Sequence, residues 1–319
     1  MAEPLLAVEA LTKHYPIQKG VLQRTVGQVQ AVDGVSFAVG AGETLGVVGE
    51  SGCGKSTVAR CVLRLVEPTT GVIRLGGADI THLDRRAVRP YRRRLQAIFQ
   101  DPYSSLNQRM RAVDIVAEPL LNFGVAVDRD RLAALFERVG LRPEQMRHYP
   151  HEFSGGQRQR LVIAKALALD PALIVCDEPV SALDVSVQAQ VINLLTELQD
   201  ERGIAYLFIA HDLAVVEHIS HRIAVMYLGE IVELAAKRDL FDRPNHPYTQ
   251  ALLAAVPVPD PEADRERMVL KGDVPSPIAP PPGCRFHTRC PFAHDRCRVE
   301  RPALEEIAPG HLAACHLND

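Results

Sequence analysis

The sequence has no uninterrupted apolar stretch that approaches the length of a membrane span. Any work at a membrane would need another subunit to cross it. Its first residues, Met1-Ala2-Glu3-Pro4-Leu5-Leu6, lack the basic segment and apolar core of a secretory signal, so the chain is expected to be made and kept in the cytoplasm. There is no strong charge of either sign: the net charge is −3, which gives no global attraction to nucleic acid. The one local basic run, Arg85, Arg86, Arg89, Arg92, Arg93 and Arg94, nearly lacks interleaved aromatics. It is expected as the solvated face of a helix, not a nucleic-acid patch. A sustained heptad run is also missing, as is a second copy of the loop described next.

Gly49-Glu50-Ser51-Gly52-Cys53-Gly54-Lys55-Ser56-Thr57 fits G-x-x-x-x-G-K-[ST] in full. An apolar run, Thr44 to Val48, precedes it, and a helical pattern, Ser56 to Val66, follows. That context is what a phosphate-binding loop requires. Glycines let successive backbone N–H groups turn inward around an anion, and the helix adds its positive end. Lys55 would reach the outer phosphates, and the Ser56 hydroxyl would hold Mg²⁺.

Other stretches extend the pattern. Leu5 to Leu11 and Gln30 to Val39 read as strands, with a loop or hairpin insertion between Ile17 and Gly27. Tyr15 is either an ordinary tyrosine or a ring on which a base stacks. Gly71 to Leu75 and Leu95 to Phe99 read as strands, the second ending at Gln100. A mostly helical segment, Val113 to Tyr149, then interrupts the alternation of strand and helix. Ser154-Gly155-Gly156-Gln157 opens a helix to Leu169, which is either a good N-cap with glycines or a second phosphate site. Ala172 to Glu178 is a near-continuous apolar run ending in two carboxylates, as expected of a strand buried on both faces of a parallel sheet. Ligands in such sheets lie beyond the C-terminal strand ends. Asp177 suits the water shell of Mg²⁺, and Glu178 suits activation of an attacking water. His211 ends the next buried strand, Tyr206 to Ala210. Ile223 to Leu228 and Glu230 to Leu234 read as a hairpin turning at Gly229.

These motifs, with Ser181-Ala182-Leu183-Asp184, occur in the order and spacing that ABC-type ATPase cassettes show, so the chain to about Leu234 resembles that family. The resemblance implies an α/β fold: a RecA-like core, an antiparallel β subdomain and a helical subdomain at about 101–165. The cassette would span 1–240 and a small Cys-rich extension 241–319. It implies ATP and Mg²⁺ as ligands and a head-to-tail pair with a homologous second cassette. Tyr15 would stack on adenine, Gly49 to Thr57 would hold the phosphates, and Gln100 would contact Mg²⁺ or water. Ser154, Gly156 and Gln157 would cap the γ-phosphate across the pair, and Asp184 would link the two sites. Glu178 would be the general base, and His211 would hold the γ-phosphate and the water. Phe153, where leucine is common, departs little from the pattern.

The branch narrows further. Phe99 to Asn107, His151 to Gln157, Asp177 to Ser186 and His246-Pro247-Tyr248-Thr249-Gln250-Ala251-Leu252 resemble ATP-binding subunits of bacterial oligopeptide and dipeptide importers. The insertion near Lys19-Gly20 is similar to the second ATPase type of such systems, and Gln108 stands where a proline is expected. The resemblance implies a heterodimer of cassettes at the cytoplasmic face of the membrane, two permease subunits and an extracytoplasmic peptide-binding protein. Nickel, glutathione or cell-wall peptides are alternative cargo.

The tail after a helix at His246 to Ala255 is proline-rich from Pro257 to Pro282, then carries Cys284, Cys290, Cys297 and Cys315. In a reducing compartment such a cluster points to metal before disulfides. The spacing C-x5-C-x6-C-x17-C is not a standard zinc ribbon. Four thiolates, one followed by proline, match an iron–sulfur cluster in ligand count. The resemblance adds that some members of the family hold a [4Fe-4S] cluster there; zinc and metal-free thiols stay open.

Overall fold

The structure, a computed structural model, describes residues 3–20, 24–255, 270 and 272–318. The chain begins with a long antiparallel hairpin, β1 (Leu6–Lys19) and β2 (Arg24–Val39). The Ile17 to Gly27 insertion is the outer part of this hairpin, with Ile17 opposite Gly27; residues 21–23 lie outside the described residues. Next come β3 (Thr44–Val48), α1 (Lys55–Val62), β4 (Thr70–Leu75) and β5 (Ala78–Asp79). Helix α1 is shorter than the pattern to Val66 suggested, because Arg64 takes a left-handed φ of 53° and turns the chain away.

Helix α2 (Arg89–Arg94) carries only four of the six clustered arginines. Two of them are not a free solvated face. Arg92 donates to the Arg64 carbonyl at 3.0 Å, and Arg89 bonds the Asn122 carbonyl and lies over the Phe123 ring. Strand β6 (Leu95–Ile98) leads to α3 (Pro102–Ser105), α4 (Ala112–Asn122) and α5 (Arg129–Arg138). Then follow α6 (Gly155–Leu167), β7 (Leu173–Asp177), α7 (Val185–Arg202), β8 (Ala205–Ile209) and α8 (Leu213–Ile219). The hairpin β9 (Arg222–Tyr227) and β10 (Glu230–Ala236) comes next, with α9 (Lys237–Asp242) and α10 (Pro247–Ala254). The tail contributes α11 (Asp295–Val299), β11 (Glu305–Ala308) and β12 (His311–Ala313).

Two sheets result. One is antiparallel, in the order β2-β1-β4-β5. The other has eight strands in the order β11-β12-β10-β9-β3-β8-β7-β6, with parallel pairing from β9 to β6. Every residue of β3, β7 and β8 is buried, so both faces of this sheet are covered. Alternate side chains go opposite ways. Ile174, Cys176, Tyr206 and Phe208 join the core with the helical lobe, while Val175, Leu207 and Ile209 join that of α1 and the antiparallel sheet. Each such large side chain contributes about 2 kcal/mol by burial.

The tail is not a separate appendage. Strand β12 pairs with β10, Glu233 opposite Ala313, and so lengthens the main sheet. Glu233 is fully buried and accepts from the Asn245 N–H (2.8 Å), the His246 N–H (2.9 Å) and His311 Nε2 (2.7 Å). Phe286 packs among Tyr227, Tyr248 and His246, with ring centroids 5.2, 5.4 and 5.5 Å away. Of the proline-rich stretch from Pro257 to Pro282, residues 257–269 and 271 lie outside the described residues, and 272–282 form no helix or strand, as expected of a loop.

Candidate functional site

Strand order places the site. Strands β3, β8 and β7 are parallel neighbours, with Val47 and Asp177 both opposite Ile209. Their C-terminal ends therefore deliver Gly49, Asp177, Glu178 and His211 to one edge. The loop after β3 needs its glycines. Gly54 starts α1 at φ 110°, and a Cβ there would lie 2.1 Å from the Ala31 carbonyl oxygen. Gly49, at φ 151°, would put a Cβ 2.2 Å from the Met226 carbonyl oxygen. Only glycine allows both approaches.

Lys55 is buried and its Nζ donates to the Gly49 carbonyl (2.6 Å) and the Glu50 carbonyl (3.0 Å). Ser56 Oγ donates to Asp177 Oδ1 at 2.9 Å. Burial raises the Asp177 carboxyl above the ordinary aspartate range; the Ser56 bond opposes this and the Glu178 charge adds to it. Gln100 Nε2 donates to Glu178 Oε2 at 2.9 Å, and His211 Nδ1 stands 3.6 Å from the same oxygen. Glu178 itself has a left-handed φ of 52°, held by its N–H bond to the Ile209 carbonyl at 2.9 Å. Such a backbone is costly for a non-glycine residue and is tolerated where surroundings over-determine it. The Glu178 side chain is 19% exposed and that of His211 57%.

A cleft of about 290 Å³ is lined by Ser51, Gly52, Gly54, Lys55, Ser56 and Thr57, with Gln100 and Glu178 opposite. Val29, Ala31 and Pro277 complete its wall. Tyr15 is not on this lining; its strand partner Val29 is, and Lys13 Nζ lies over the Tyr15 ring, 4.9 Å from its centroid. Cys53 is buried and its thiol is pushed up by burial. The donor set of a carboxylate (Asp177), a hydroxyl (Ser56) and an amide (Gln100) suits Mg²⁺, which keeps waters and takes few protein ligands.

Ser154, Gly155, Gly156 and Gln157 lie away from this cleft, at the start of α6. Ser154 Oγ accepts from the Gln157 N–H (3.3 Å) and Gln157 Oε1 from the Ser154 N–H (3.0 Å). That is a reciprocal capping box. Asp184 precedes α7 in an exposed position, beside Val185, which is 82% exposed.

The chain is 58% identical over 320 residues to the probable peptide ABC transporter ATP-binding protein y4tS of Sinorhizobium fredii, covering 99% of this chain and 91% of that one. It is 54% identical to the oligopeptide transport ATP-binding protein AppF of Bacillus subtilis, covering 99% and 98%. Residues 32–181 match the ABC transporter family, and 232–297 match the oligopeptide/dipeptide transporter C-terminal region. This chain belongs to the peptide ABC transporter ATP-binding family. The cassette fold is shared with the dimeric, ADP- and phosphate-bound post-hydrolysis structure of the ATP-binding cassette MJ0796. That likeness has a TM-score of 0.65 at 28% identity and covers 73% of this chain and 99% of that one. As an ABC cassette it is an ATPase, with ATP and Mg²⁺ as its ligands. Among the described residues no helix is long and apolar enough to cross a membrane.

The C-terminal cysteines do not bear out the expected metal centre. Cys284 N–H donates to the Cys297 carbonyl at 2.8 Å. The Cys284 thiol is pushed up to about 12, first by burial and then by the nearby Cys297, Cys315 and Cys290. Yet among the described residues no three His, Cys, Asp or Glu side chains form a group that could hold a metal ion. Ligand count was legible in the sequence, whereas ligating geometry depends on how α11 and β12 sit.

The sequence reading also missed two contacts. Tyr248 Oη accepts the Glu50 N–H at 2.8 Å, and Arg289 grips the Glu50 carboxylate with two bonds, 2.6 and 3.0 Å. Tyr248 lies in the singled-out stretch His246 to Leu252; nothing local marks Arg289.

Proposed function

We propose that this cassette energises import of di- and oligopeptides into a bacterium. It would work peripherally at the cytoplasmic face, beside a homologous cassette, two permease subunits and an extracytoplasmic binding protein. The observation that carries the reading is the cleft lined by Lys55, Ser56, Gln100 and Glu178, with Gln100 and His211 beside the Glu178 carboxylate and Asp177 bonded to Ser56. Mg²⁺ held by Ser56, Asp177 and Gln100 would neutralise phosphate charge. Glu178 takes the proton of the attacking water at its carboxylate, and Gln100 and His211 orient that carboxylate and the water. Tyr15 would serve the adenine side. Ser154, Gly156, Gln157 and Asp184 act on the partner's nucleotide, which the exposure of Ser154 and Asp184 and the absence of all four from this chain's own cleft lining support. Donors from both partners are then needed together, so neither cassette hydrolyses well alone.

Substituting Glu178→Gln in the assembled transporter tests this. ATP binding is expected to persist while hydrolysis falls at least about a hundredfold, the scale of a lost general base. Retained turnover removes Glu178 from that role. For the tail, the count of four cysteines is what supports a structural centre; the [4Fe-4S] cluster or Zn²⁺ is decided by iron and zinc analysis of anaerobically purified protein.

A further inference from the structure

The C-terminal tail reaches the nucleotide cleft directly. Arg289, whose side chain is 7% exposed, makes a two-pronged pair with Glu50, the second residue of the phosphate loop. Its guanidinium also lies over the Tyr227 ring, 5.9 Å from the centroid, and the Glu50 bonds raise its affinity for its proton. The Glu50 N–H is held by Tyr248. Both ends of Glu50 are therefore fixed from the tail side. The Glu50 carbonyl, with that of Gly49, in turn holds Lys55 Nζ. Pro277 lines the cleft, and its carbonyl accepts the Gln30 N–H at 2.9 Å. The tail is anchored by Arg285, which pairs with Asp33 and Glu230 and bonds Gln30 at 2.8 Å.

A carboxylate in a phosphate-binding loop opposes an anionic ligand unless it is neutralised. Arg suits that task, because its planar fork matches a carboxylate in two bonds and stays charged. We propose that Arg289 is a positioning residue for nucleotide binding. It neutralises Glu50 and fixes the turn that sets Lys55, so the tail governs how tightly the cassette takes MgATP. This rests on the cleft being the ATP site.

MgATP titration of the full chain by calorimetry tests it, together with KM and kcat for ATP in the reconstituted transporter. Arg289→Ala is expected to weaken MgATP binding by about tenfold, at the low end of the scale for truncating one partner of a charge pair because Glu50 is only partly buried. KM should rise with kcat little changed. The double variant Glu50→Gln with Arg289→Ala should recover most of the loss, because the unpaired carboxylate is gone. Arg289→Lys keeps the charge without the fork and should bind severalfold more weakly; it carries the test if Arg289→Ala does not fold. Binding by Arg289→Ala, or by Arg289→Lys in that event, within twofold of wild type overturns the proposal. So does a loss that Glu50→Gln leaves unrepaired, which marks general destabilisation. A wild-type chain that does not bind MgATP overturns the ATP reading instead.

Discussion

Asp177→Asn should make the nucleotide-free protein more stable and its nucleotide-bound form less so. Asp177 is 7% exposed, and its bonded partner is a neutral hydroxyl, Ser56, at 2.9 Å. The charges of Arg60 and Lys55 oppose the rise without outweighing it, and Lys55 spends its Nζ on two carbonyls. The Glu178 carboxylate next in sequence adds repulsion. Asparagine keeps an oxygen to accept from Ser56 and removes the charge. Relieving one poorly paired buried group is worth about 1 kcal/mol, or about 1–2 °C in Tm for a chain of 319 residues. The sign with pH follows from the raised carboxyl. As pH rises from the ordinary aspartate range through the raised folded value, the unfolded chain releases its proton first, so wild-type stability falls. The advantage of Asp177→Asn is therefore present above that window and vanishes below about pH 4. Ligand should reverse the order. At a hundredfold excess over Kd, MgATP stabilises wild type by about 2.7 kcal/mol, and Asp177→Asn, without the carboxylate proposed to hold Mg²⁺, is expected to forfeit most of this. Differential scanning fluorimetry at pH 7 and pH 4, with and without MgATP, measures all four quantities. A nucleotide-free Asp177→Asn that melts below wild type at pH 7 would refute the argument, as would an undiminished gain from MgATP.

Two further outcomes follow from other parts of the molecule. Gly54→Ala forces a Cβ to within 2.1 Å of the Ala31 carbonyl at φ 110°. Loss of nucleotide binding is expected, with a stability cost of at least about 2 kcal/mol, read by MgATP titration and thermal melting; binding at wild-type affinity would contradict the geometry. His311→Ala leaves fully buried Glu233 without its ring partner at 2.7 Å. A cost of about 3 kcal/mol is expected, with amide exchange of β12 speeding up more than that of β3; uniform exchange across the sheet would argue against a local pin.

Much of the cleft was legible in the chain. Gly49 to Thr57 is a contiguous motif whose backbone need is local. Strands β7 and β8 are apolar at every position, Asp177 excepted, because both their faces are covered, so their ends, and with them Glu178 and His211, could be read as the ligand-facing edge. The helix ends were less legible: α1 stops at Val62 because Arg64 turns left-handed, a choice made by the surroundings. The arginine run read as a solvated face, but Arg89 and Arg92 are spent on carbonyls of distant residues.

What the sequence determined by itself is what short-range physics encodes: a glycine loop between strand and helix, buried strands, and the chemical types at their ends. Tertiary structure alone decided that the tail belongs to the nucleotide site. Glu50 and Arg289 meet across 239 positions, and Glu233 meets Ala313 across 80, with no periodicity linking either pair. Such contacts form only once the sheet brings its edges together, because loop-closure entropy is repaid by burial that no isolated segment can supply.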